Sequence, residues 1–152
     1  MCFFCNNQYR FSDDVDDLDI VFKERLRSCG RMVAMIDCWN GKVQYTTRIW
    51  TIFEQYTAHK ELPEQNTHMI LPPEEECTFE KALTTNGLEA VFSGFSDIRS
   101  RDAKAWSQED EDKVKGIIES DIGFDVVDTR VKTLLKEWVG KRYECAIRSM
   151  KV

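Results

Sequence analysis

The chain has 152 residues, 42% of them hydrophobic and 32% charged, with seven Gly and three Pro. This composition excludes collagen-like, mucin-like and low-complexity disordered classes, and a chain of this length buries about 70% of its unfolded surface, enough for one core. The 21 Lys and Arg against 27 Asp and Glu give a formal charge of -6, which leaves no electrostatic footprint for nucleic acid or an anionic membrane surface.

Residues 2–5, Cys-Phe-Phe-Cys, form a short apolar run that predicts a buried strand. A strand opening at the first residue has no lead-in or edge partner, so a truncated copy is expected. No positive charge precedes the run, and it breaks into Asn6-Asn7-Gln8, which argues against an export signal. No apolar stretch approaches the roughly 20 residues of a membrane-spanning helix. A cytoplasmic location is expected, with the six cysteines, at 2, 5, 29, 38, 77 and 145, as free thiols. Cys2-x-x-Cys5 has no second C-x-x-C, and His59 and His68 have no paired spacing to complete a zinc site, so no metal centre is expected.

Residues 6–19 carry Asp13, Asp14, Asp16, Asp17 and Asp19 and read as an exposed loop leading into a helix N-terminus. Hard cations suit such oxygens, but the stretch lacks the Gly and Glu positions of an EF-hand loop and reads as a solvated acidic segment. Ile20, Val21, Phe22, Leu26 and Cys29 then recur at helical spacing, which predicts a helix over 20–29 stopped by Gly30. Residues 32–36 are apolar at every position and predict a central parallel strand buried on both faces.

Residues 37–47, with Asn40-Gly41, read as the loop at that strand's carboxyl end, and Ile49, Trp50, Ile52, Phe53 and Tyr56 predict a helix over 48–59. His68 to Leu71 predict a further strand, halted by Pro72-Pro73. This alternation is the rhythm of an open α/β sheet, whose sites lie outside the strand carboxyl ends. Beyond residue 74 the pattern turns helical, over 79–83, after a capping pair Ser107 and Asp110, and from about 126 to 149 along Val127, Val131, Leu134, Leu135, Trp138, Ala146, Ile147 and Met150. Neither Gly-rich phosphate loop is present.

The segment Tyr45-Thr-Thr-Arg48-Ile-Trp50-Thr-Ile-Phe-Glu54 resembles the loop and helix of TIR (Toll/interleukin receptor) domains, whose pattern is S-x-W-C-x-x-E. Here Arg48 stands for the Ser and Thr51 for the Cys. The chain is more similar to TIR-like domains in large multidomain proteins of unicellular eukaryotes, through Phe3 to Gln8, Trp39, Tyr45, Arg48, Trp50, Phe53 and Glu54. Looser matches follow at Leu71-Pro72-Pro73, Phe79, Asp97-Ile98, Ala103, Asp110 and Trp138.

The resemblance implies an open, mostly parallel flavodoxin-like sheet, with residues 1–73 as an incomplete TIR-like α/β core lacking its first strand. Residues 74–152 would be a helical extension packed on the same domain. It implies a signalling or scaffold module that works by protein contacts or self-association. It also implies an alternative activity, cleavage of the nicotinamide-ribose bond of NAD. There Glu54 would be the key carboxylate, Tyr45, Trp50 and Trp39 would line the substrate, and Arg48 would meet a phosphate. One carboxylate suffices for that chemistry, because nicotinamide is already cationic in NAD and only the ribosyl cation needs stabilising, whereas a glycosidase needs a pair. NAD enters this reading as a substrate, and no cofactor is expected. Glu54 also reads as a solvated residue on an amphipathic helix, with Trp50 and Phe53 as core. A structural subunit completed by a partner strand is the third reading.

Overall fold

The computed structural model describes residues 18–41, 43–95 and 97–149. Seven main elements follow in order: α1 (Leu18–Cys29), β1 (Met32–Met35), α2 (Ile49–Glu61), β2 (Thr67–Ile70), α3 (Pro73–Phe92), α4 (Gln108–Ile117) and α5 (Phe124–Ser149). Among the described residues the chain is α/β and mostly helical, with a two-stranded sheet in which β1 and β2 run parallel. The strand predicted over 2–5 and the acidic stretch through Asp17 lie outside the described residues. Leu18 and Asp19 belong to α1, which starts earlier than the predicted residue 20.

Gly30, at a φ of 63°, ends α1 as its lack of a Cβ allows, and its N–H closes on the Leu26 carbonyl at 2.9 Å. The buried stripe of α1 is narrower than its apolar spacing suggested. Leu26 packs with Ala58 and Leu62, and Phe22 covers them, while Ile20 and Cys29 are exposed.

The expectation that residues 32–36 are covered on both faces is corrected. Ala34 and Ile36 face the core, but Val33 and Met35 are 56% and 63% exposed. Their register partners on β2 behave alike: Val33 pairs with His68 and Met35 with Ile70, both exposed. Strand alternation sends these four side chains to one face, and the core lies under the other. β2 starts one residue before the predicted His68, and the ladder continues past β1 through the Ile36 N–H to the Ile70 carbonyl, 2.9 Å.

α3 runs well beyond the predicted 79–83. Pro73, read as a strand stop, is also a helix start, since its missing N–H is no loss in the first turn, and Glu74, Glu75 and Glu76 suit the dipole there. Gly87, at φ 79° and ψ 179°, divides the helix. The Ser107 hydroxyl caps α4 by accepting from the Asp110 N–H at 3.1 Å, as its position predicts. One main core joins both halves of the chain, from Ala34 on β1 through Phe53 and Phe79 to Leu135 and Val139 on α5. Phe79 of α3 stacks on Trp138 of α5 with centroids 5.2 Å apart, and Phe95 meets the same indole edge-on at 6.1 Å.

Candidate functional site

β1 delivers Asp37 just beyond its carboxyl end. The Asp37 carboxylate accepts from the Tyr45 N–H at 2.9 Å and the Gln44 N–H at 3.0 Å, and so pins the short turn Gln44–Thr46 to the strand. Beside it the Cys38 thiol, pushed up to about 11 by burial and by Asp37, donates to that carboxylate at 3.4 Å. A thiol held protonated in this way is a poor nucleophile.

The turn places Tyr45 in the core, where its hydroxyl donates to the Oε1 of Gln55, 3.0 Å away. Burial, and then the neighbouring charge of Glu54, raise the Tyr45 phenol far above its ordinary value, so it remains a donor. Thr51 closes the arrangement: its hydroxyl donates to the carbonyls of Tyr45 and, at 2.9 Å, of Arg48. At the position where the TIR pattern has Cys, Thr therefore tethers the first turn of α2 to the Tyr45 turn.

Glu54 is half-buried, and burial pushes its carboxyl up to about 7, with the Arg48 charge acting in the opposite direction. Its neighbours by charge are thus Tyr45 and Arg48. Arg48 precedes α2 and is bridged to Lys104: the Ile49 N–H donates to the Lys104 carbonyl at 3.0 Å, and the Lys104 N–H to the Thr47 carbonyl at 2.9 Å. Trp50 is half-buried and meets Phe53 edge-on at 6.3 Å. Trp39 turns toward α3, where its indole N–H donates to the Thr78 hydroxyl at 2.9 Å and its ring meets Phe79 at 6.0 Å. The charge of Glu54 thus acts on the Tyr45 phenol and that of Arg48 on Glu54, while Trp39 packs against a different helix.

A cavity of about 190 Å³ opens beside the turn, lined by Thr46, Thr47, Asp97, Arg99, Asp102 and Ala103. A second, of about 220 Å³, lies between α2, β2 and α5. Glu54 lines neither. Among the described residues no cluster of His, Cys, Asp and Glu is placed to hold a metal ion.

Sequence reasoning missed Asp37 and Gln55. Asp37 carries a signal, an Asp at a strand's carboxyl end ahead of a turn. Gln55 follows Ile49 and Ile52 at intervals of three and sits three residues before Ala58, all of them buried, so helical spacing alone puts it on the inner face. Compared with family models, curated proteins and solved structures, the chain matches none.

Proposed function

We propose that the chain is a TIR-like signalling or scaffold module that acts through protein contacts, with β1 and β2 as part of an open, mostly parallel flavodoxin-like sheet. The parallel pairing of two strands joined through α2 is consistent with that architecture. The observation that carries the module reading is the outer face of the strand pair, where Val33, Met35 and Ile70 are 56%, 63% and 44% exposed. Adjacent apolar side chains on a sheet surface favour burial against another protein. Sedimentation velocity of the full chain tests this. Wild type should associate as concentration rises and Val33→Lys/Met35→Lys should remain monomeric; a wild type that is monomeric throughout removes self-association through this face.

A second reading, NAD cleavage, is favoured by the surroundings of Glu54. A half-buried carboxylate suits the stabilisation of a ribosyl cation, and an arginine whose charge acts on it suits a phosphate of NAD as substrate, with no cofactor required. Nicotinamide release by wild type that is abolished in Glu54→Gln supports it, and equal release by the two excludes Glu54 as the catalytic group.

A further inference from the structure

The two edges of the strand pair differ. On β2 the Ile70 carbonyl faces β1, where it accepts from the Ile36 N–H at 2.9 Å, so alternation turns the Met69 carbonyl to the opposite edge. That carbonyl is taken: the Trp138 indole of α5 donates to it at 3.0 Å, and a helix closes this edge. On β1 the same alternation points the N–H and C=O groups of Val33 and Met35 away from β2. Among the described residues no strand pairs with them there. Unpaired edges invite a further strand, and residues 32–36 carry neither a charge nor a proline, two devices that keep an edge from pairing.

The sequence along this edge is self-complementary in one antiparallel register. About a two-fold axis through Ala34, Val33 of each copy stands opposite Met35 of the other, and Arg31 opposite Asp37. Three requirements coincide there. Val33 and Met35 own the backbone groups that face the edge, so they form the hydrogen-bonded pairs. Their exposed side chains share one face, where directly opposite neighbours touch across the strands. Arg31 and Asp37, both exposed, bring opposite charges together twice. Asp37 already accepts from Gln44, Tyr45 and Cys38, and the roughly four acceptor sites of a carboxylate leave room for an arginine. Sliding one copy by two residues keeps the backbone pairing but sets Arg31 against Met35, or Val33 against Asp37.

We propose that two copies of the chain join edge to edge through β1, antiparallel about Ala34, into a four-stranded sheet in the order β2-β1-β1-β2. The outer faces of the two copies then lie side by side, with Val33 and Met35 covering each other across the join. This rests on the reading of the strand pair as a contact surface, and it names the partner, a second copy, and the register in which it is held.

The test follows amide exchange by NMR in the full chain over a concentration series, with sedimentation velocity on the same samples. Edge pairing predicts a dimer in which exchange at the Val33 and Met35 amides slows in step with association, while the Ile36 amide, already bonded to Ile70, changes less. Met35→Pro removes an outward N–H and none that β2 uses, so it should abolish the dimer with the Ile36 amide still protected. Arg31→Asp sets like charges opposite each other and should weaken the dimer about tenfold; it decides if Met35→Pro fails to fold. A dimer whose Val33 and Met35 amides stay unprotected would overturn the edge pairing and leave contact through the outer face. Protection of both amides in a monomer at every concentration would give the edge to another segment of the same chain and overturn it too. Wild-type association of either folded variant would also overturn it. A monomer throughout, with both amides unprotected, would remove the dimer and self-association together.

Discussion

Tyr45 donates its hydroxyl to the Oε1 of Gln55 across 3.0 Å, and both side chains are buried, so the turn after β1 and the middle of α2 are locked by one hydrogen bond. Tyr45→Phe keeps the ring and leaves Gln55 Oε1 without its donor. It should cost about 1–3 kcal/mol of stability, measured by urea unfolding. A midpoint equal to that of wild type would show that the bond is replaced by solvent.

Glu54 makes the stability of the fold depend on pH. Its folded carboxyl lies at about 7 against an ordinary 4.5, so the folded state binds the proton more tightly, and stability falls as pH rises from about 4.5 to about 7. The shift corresponds to about 3 kcal/mol. Glu54→Gln carries no such penalty and should be the more stable protein at pH 8, with little difference at pH 4. In the catalytic reading the ionised carboxylate is the working form, so nicotinamide release should rise from pH 6 to pH 8. Parallel urea titrations of the two proteins at both pH values, with an assay of release across that range, check both arms.

Neighbouring residues on β1 should respond oppositely to charge. Ile36 is fully buried, and Ile36→Asp should cost several kcal/mol or prevent folding, because an unpaired carboxylate enters the core. Met35 is 63% exposed, and Met35→Asp should change stability by no more than about 1 kcal/mol. Thermal unfolding of the pair measures the alternation of the strand directly.

Glu111 ties the 97–105 loop to α4 and, through Lys104, to Arg48. Its buried carboxylate accepts from Lys115 at 2.8 Å, from Lys104 at 3.1 Å and from the Ala105 N–H at 3.4 Å, and the hydrogen bond from Lys115 is the largest cause holding it down at about 2. Glu111→Gln should speed amide exchange at Ile49 and Lys104, whose backbones form the bridge. Unchanged exchange at both would place the rigidity of the bridge in the backbone alone.

Element types were legible where one periodicity acted alone. The stripe of α5 at Val127, Val131, Leu134 and Leu135 and the Ser107 cap of α4 stand where spacing puts them, while Ala146 and Ile147 are only half-buried and Met150 lies outside the described residues. An all-apolar run such as 32–36 carries no alternation, so the sequence cannot say that Val33 and Met35 face outward; only the location of the helices decides it. Aromatic residues of the helical half likewise do not declare their side from the sequence: Phe95 is buried and Trp138 is stacked in the core, whereas Trp106 is 89% exposed. For the site, the closeness in sequence of Tyr45, Arg48 and Glu54 follows from a short turn and the first two turns of α2. The separation of Trp39 follows from a long-range bond to Thr78, which local pattern does not encode.

Hydrogen–deuterium exchange of the full chain, measured across a concentration series and again with NAD, separates the two functional readings in one experiment. The interaction reading predicts slower exchange in residues 32–36 and 67–71 as concentration rises, lost in Val33→Lys/Met35→Lys. Exchange in those strands that is independent of concentration, with protection appearing at residues 44–54 on addition of NAD, would contradict it and leave the catalytic reading in its place.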